Sequence, residues 1–146
     1  MPTYATFTEA PRVSDVLKWY VEERFCFATY QIKNDSGVAI AQGGIVPGTP
    51  LALANGVMET IESGEEATVD AIFIDDRTVP AIAIAGTTVK QYRVLVRGPA
   101  LVNKDALLAA DFNGATAYTL ADLVTQLATL DIQVLAEPAT KETQTT

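Results

Sequence analysis

The chain contains no histidine and a single cysteine, Cys26. The first absence removes the side chain that titrates nearest neutrality, the commonest metal ligand and the usual base beside a serine or cysteine nucleophile. The second excludes an internal disulfide, so stability does not depend on oxidising conditions. Cys26 lies between Phe25 and Phe27 and reads as a small, inert, half-buried strand residue. Basic residues are scarce: ten Lys and Arg stand against eighteen Asp and Glu, a net charge of −8. The imbalance is local. Residues 34–77 hold Asp35, Glu59, Glu62, Glu65, Glu66, Asp70, Asp75 and Asp76 against Arg77 alone, whereas residues 1–33 balance. Such a middle stretch repels a polyanion, so no direct nucleic-acid partner is expected. No run approaches the about 18 consecutive apolar residues of a membrane helix, and the start lacks the basic residues and apolar run of a signal peptide. No membrane partner is expected, and synthesis in a cytoplasm is.

What is present suits one globular domain. With 146 residues, 49% of them apolar and 19% charged, the chain can bury roughly 68–70% of its unfolded surface. Residues 1–20 read as an arm: threonines and aromatics up to Thr8, a break at Pro11, then charges mixed with Val13, Val16, Leu17, Trp19 and Tyr20. The spacing 13, 16, 17, 20 suits an amphipathic helical stretch, while the β-prone first eight residues favour an extended strand. The arm's apolar side chains have either the protein's own body or a foreign surface to cover them.

Arg24 to Ile32 is rich in aromatic and β-branched residues and predicts a strand. Asn34 to Gly37 reads as a turn, and Gly43-Gly44 and Pro47-Gly48 as turns flanking a small strand around Ile45 and Val46. Leu51–Leu53 and Val57–Ile61 predict a hairpin through Ala54-Asn55-Gly56. Ala67–Ile74 is an apolar strand ending at Asp75-Asp76-Arg77, and Lys90–Arg97 alternates Tyr92, Val94 and Val96 against Arg93, Leu95 and Arg97. The period then changes. Asn103 can cap a short helix, Thr119 with Asp122 resembles a capping box before Leu120, Leu123, Val124 and Leu127, and Ile132–Leu135 closes as a strand. Residues 137–146 are polar and predicted to be a disordered tail. The fold class is mainly β with a small α portion, an α+β arrangement.

Catalytic constellations are weak. Adjacent carboxylates such as Asp75 and Asp76 point to opposite faces of a strand, so they do not form a two-carboxylate site, and the oxygen spacing of a calcium loop is missing. The glycine pairs lack the following helix of a phosphate loop. Ser14, Ser36 and Ser63 lie in no nucleophile-elbow pattern. No enzyme activity, cofactor or metal is expected.

The ordered segments resemble the lambda-type phage head decoration proteins. The likeness rests on Thr6-Phe7-Thr8, Arg12 to Trp19, Val46 to Leu51, Asp70 to Asp75, Val94 to Ala100 leading into Val102 to Leu107, and Leu130 to Val134. In order and spacing these span roughly residues 3–136. Asp131 departs from the pattern, since relatives often place glycine there before the last strand, where it relieves a left-handed backbone. The resemblance implies a compact β-rich, β-tadpole-like body (21–136, with a C-terminal helix and closing strand) and a flexible capsid-binding arm (1–20). It also implies a homotrimer that cements the outer surface of an expanded phage head at three-fold and quasi-three-fold sites, with the major capsid protein as partner. Arm residues carried over are Thr3, Tyr4, Thr6, Phe7, Thr8, Arg12, Val13, Leu17 and Trp19; Thr49, Pro50 and Leu51 are carried over as trimer contacts. The other expectation is a stand-alone, small β-rich ligand-binding or carrier module, which requires a concave apolar pocket.

Overall fold

The computed structural model describes residues 12–34, 39–61, 69–82, 88–104, 107 and 120–135. Thr3, Tyr4, Thr6, Phe7, Thr8 and the expected tail 137–146 lie outside the described residues. In chain order the elements are α1 (Val13–Val16), β1 (Leu17–Tyr20), α2 (Glu23–Cys26), β2 (Phe27–Lys33), β3 (Pro50–Ala54) and β4 (Val57–Thr60). They continue with β5 (Ala71–Phe73), β6 (Thr88–Leu95), β7 (Ala100–Asn103), α3 (Leu120–Thr129) and β8 (Ile132–Leu135). The protein is mostly β with a small helical portion.

Five strands close into a barrel in the order β2-β4-β3-β5-β6, and the other three form a small sheet in the order β1-β7-β8. The β3–β4 hairpin has the turn its sequence demands: Asn55 and Gly56 both take positive φ, 51° and 79°, the conformation whose twist matches paired strands. Inside the barrel Ile32, Leu51, Met58, Phe73, Tyr92 and Val94 form one core, with the Phe73 and Tyr92 rings 5.7 Å apart. A second core lies between the barrel wall, the small sheet and α3, and includes Val16, Ile72, Leu95, Val102, Leu127 and Ile132.

Two cores on either side of one wall explain why all three residues of β5 are buried. They also fit the alternation of β6, where Tyr92 and Val94 point into the barrel and Leu95 points into the second core. A strand buried on both faces reads as a continuous apolar run. In α3 the helical spacing of Leu123 and Leu127 puts both on the face that reaches this second core, and each is fully buried.

Three expectations change. The strand expected from Arg24 begins at Phe27, because Glu23–Cys26 forms a helical turn. That turn carries Cys26 wholly into the second core, with its Sγ 3.8 Å from the Pro99 carbonyl oxygen. Ile45 and Val46 belong to no strand: the Thr49 hydroxyl donates to the Val46 carbonyl at 2.7 Å and accepts from the Val46 N–H, closing a turn instead. The fold also does not divide at residue 20. Residues 13–20 form α1 and β1, β1 pairs antiparallel with β7, and Val16 is fully buried.

Candidate docking surface

The path of β1 decides which arm residues remain available. Its pairing with β7 matches Leu17 with Val102, Trp19 with Leu101 and Tyr20 with Ala100, and the register shifts between Leu17 and Trp19. Such a bulge re-aims side chains. Leu17 and Tyr20 pack against the second core, as does Val13 from α1, while Trp19 stands 49% exposed. Of the expected arm residues that are described, Val13 and Leu17 are therefore body residues, Arg12 is exposed at the start of α1, and Trp19 alone presents a large apolar surface.

Trp19 is not isolated. β7 leads it into a row on the outer face of the sheet, since Trp19 pairs with Leu101 and Leu101 with Gln133. Trp19, Pro99, Ala100, Leu101, Asp131 and Gln133 line a cleft of about 120 Å³. Around the same Pro99 lie Val21, whose N–H donates to the Pro99 carbonyl at 3.0 Å, and Cys26 beneath. Phe25 projects outward, 49% exposed, with the Arg97 guanidinium 5.0 Å from its ring centre, a cation–π arrangement. Trp19, Val21 and Phe25 thus gather at one corner, where the chain passes from the barrel into the small sheet.

Backbone approach holds that corner in shape. The Gly98–Pro99 peptide is cis, and Gly98 donates to the Leu130 carbonyl at 2.8 Å. A Cβ at Gly98 would sit 1.7 Å from the Asp131 carbonyl oxygen, so only glycine fits. Asp131 takes the left-handed turn between α3 and β8 at φ 62°. Aspartate is one of the few non-glycine residues that visit this region, so the turn forms without the glycine expected there. Behind the corner the Tyr20 and Phe27 rings lie 4.7 Å apart, and Arg93 covers the other ring contact at 5.1 Å from Phe27.

The carboxylates at the end of β5 are structural. Burial alone raises the Asp75 carboxyl, but hydrogen bonds from the Arg77 side chain and from the backbone N–H groups of Arg77 and Arg93 outweigh it and hold the group at about 2. The Arg77 guanidinium meets Asp75 at 2.7 Å and lies 4.8 Å from the Tyr92 ring centre. Asp76 turns the other way and accepts the Val13 N–H at 2.8 Å. Among the described residues, no group of three or more His, Cys, Asp or Glu could hold a metal ion. No helix among them is long and apolar enough to cross a membrane.

Thr49, Pro50 and Leu51 are buried in their own subunit, with Thr49 and Leu51 no more than 1% exposed. Leu51 fills the barrel and the Thr49 hydroxyl is taken by Val46, so neither offers a surface to a neighbour. Residue type and spacing alone do not single out Val21, Phe25, Arg97 or Pro99. Phe25 and Val21 were indistinguishable from strand core by residue type, and only the helical turn α2 rotates Phe25 outward while Cys26 goes in. No family model matches the chain, and no curated protein matches it.

Proposed function

We propose that the protein is a non-enzymatic binding module, a phage head decoration protein that docks as a trimer on the outside of an expanded capsid and cements it against internal DNA pressure. The observation that carries a binding role is the exposed apolar corner of Trp19, Val21 and Phe25 around Pro99. Large apolar side chains exposed near one another on a soluble fold mark interaction surfaces, and Trp and Arg are among the residue types most enriched at binding hot spots. The identity of the partner rests on the resemblance, in order and spacing, of the chain's short motifs to those of decoration proteins. The cleft at the corner, about 120 Å³, is smaller than the roughly 300–1,000 Å³ of small-molecule pockets, so the corner itself suits a docking partner better than a small ligand.

In this reading the segment before Arg12, with Tyr4 and Phe7, adds an extended strand to a sheet edge of the major capsid protein, and the corner supplies a second contact. Three copies on one trimer act together and raise avidity by roughly 10²–10⁴. The test is co-sedimentation with purified expanded heads. Removal of residues 2–11 should leave a folded protein with lost binding; the cut stops at 11 because α1 and β1 belong to the body. Trp19→Ala should weaken binding about tenfold or more, the size of a hot-spot truncation, with an unchanged circular dichroism spectrum. Failure of the intact protein to sediment with heads overturns the capsid reading. Equal binding by Trp19→Ala overturns the role of the corner.

A further inference from the structure

The single turn α1 is held at its start by a residue distant in the chain. A helix leaves its first N–H groups without partners inside the helix, and in α1 the Val13 N–H is taken by the Asp76 carboxylate, 63 positions away. Asp76 is fixed in place by its neighbour, because Asp75 accepts from the Arg77 backbone and guanidinium and from the Arg93 N–H. The other side of α1 is tied to the small sheet, where the Asn103 amide donates to the Asp15 carbonyl at 3.3 Å. Between these two ties Val16 is fully buried and Val13 packs on the same core. Residues 12–16 therefore lie across the seam between barrel and sheet, fastened to the barrel by Asp76 and to β7 by Asn103.

We propose that residues 12–16 form a releasable strap with Asp76 as its latch. Latched, the strap closes the seam over Val16 and fixes the point from which the segment preceding Arg12 departs. Released, it frees Val13 and Val16 together and lengthens that segment by a turn of helix. The unit is small: four helical residues closed by the Leu17 N–H on the Val13 carbonyl. Loss of the latch should accordingly open α1 as a whole and leave the barrel shut. This inference is independent of the docking role and holds or fails without a partner.

Amide hydrogen exchange by NMR on the full chain tests it. In Asp76→Ala, exchange at Val13 and Leu17 should rise in parallel by about five- to tenfold, the effect of losing one helix cap, while the Ile72 and Leu95 amides of the barrel keep their rates. Asp76→Asn retains an acceptor oxygen and should stay within about twofold of the parent. Asn103→Ala, which loosens the opposite end, should raise the same two amides together and serves as the second probe if Asp76→Ala fails to fold. Acceleration at Val13 without Leu17, no acceleration at either, or equal acceleration at Ile72 and Leu95 overturns the strap.

Discussion

The barrel and the small sheet are built on opposite terms. The barrel closes on itself through five strands, so each of its strands has neighbours on both sides. Among the described residues the small sheet has three strands and ends in β1 and β8, and the outer strand of an open sheet is where another strand can be accepted. Exposure follows the same division. Among the described residues, Trp19, Val21, Phe25 and Leu135 are large, apolar and exposed on or beside the small sheet, whereas the barrel strands show only Leu53. The barrel supplies stability, and the open sheet beside it supplies surface.

Substitutions can break this contrast. The largest effect is expected from Phe73→Ala, which empties the middle of the barrel. It should cost about 3–5 kcal/mol by chemical denaturation, and loss should reach every element at once. Leu127→Ala, in the core beneath the small sheet, should cost about 2–4 kcal/mol. Hydrogen exchange should then quicken in β7 and β8 before the barrel. Uniform acceleration across both regions would show them to be one cooperative unit.

Asp75 sharpens the comparison at acid pH. Its folded value of about 2 lies below the ordinary 3.8, so it adds stability that is complete above about pH 4 and fades as pH falls through about 2. The difference amounts to about 2 kcal/mol. Asp75→Asn should lower stability by that amount near neutrality, and the gap to the parent should narrow between about pH 4 and pH 2 in thermal melts. The smallest change expected is a gain: Asp131→Gly relieves the left-handed turn and should raise stability by about 0.5–1 kcal/mol. No gain would mean that the aspartate side chain contributes to the corner more than its backbone conformation costs.

Much of the fold could be read from residue type and spacing. Asn55-Gly56 named its own hairpin, Leu123 and Leu127 named the buried face of α3, and the alternation through Tyr92, Val94 and Leu95 separated the two faces of β6. The helical spacing of Val13, Val16, Leu17 and Tyr20 was also present, but two elements share it. Val13 and Val16 belong to α1, and Leu17 and Tyr20 reach the same core from β1 through a bulge. What covers these residues depends on Asp76 and β7, far along the chain, and local pattern carries no record of such contacts. For the same reason the corner was half legible: Trp19 stood out by its type, whereas Val21, Phe25 and Arg97 became surface only through α2 and the chain's passage at Pro99. The trimer contact expected at Leu51 fails in the other direction, because a resemblance in the order of short motifs says nothing about which way a side chain faces.

The tip of the β3–β4 hairpin offers a practical consequence. Nothing lies within 4 Å of where a side chain on Gly56 would begin, and the strands on either side are zipped from Leu51–Thr60 to Ala54–Val57. Exposed loop tips tolerate inserted sequence. A foreign epitope grafted between Asn55 and Gly56 would be carried outward on a rigid stalk, on a different strand pair from the apolar corner, which makes this tip the natural place to fuse a tag or antigen.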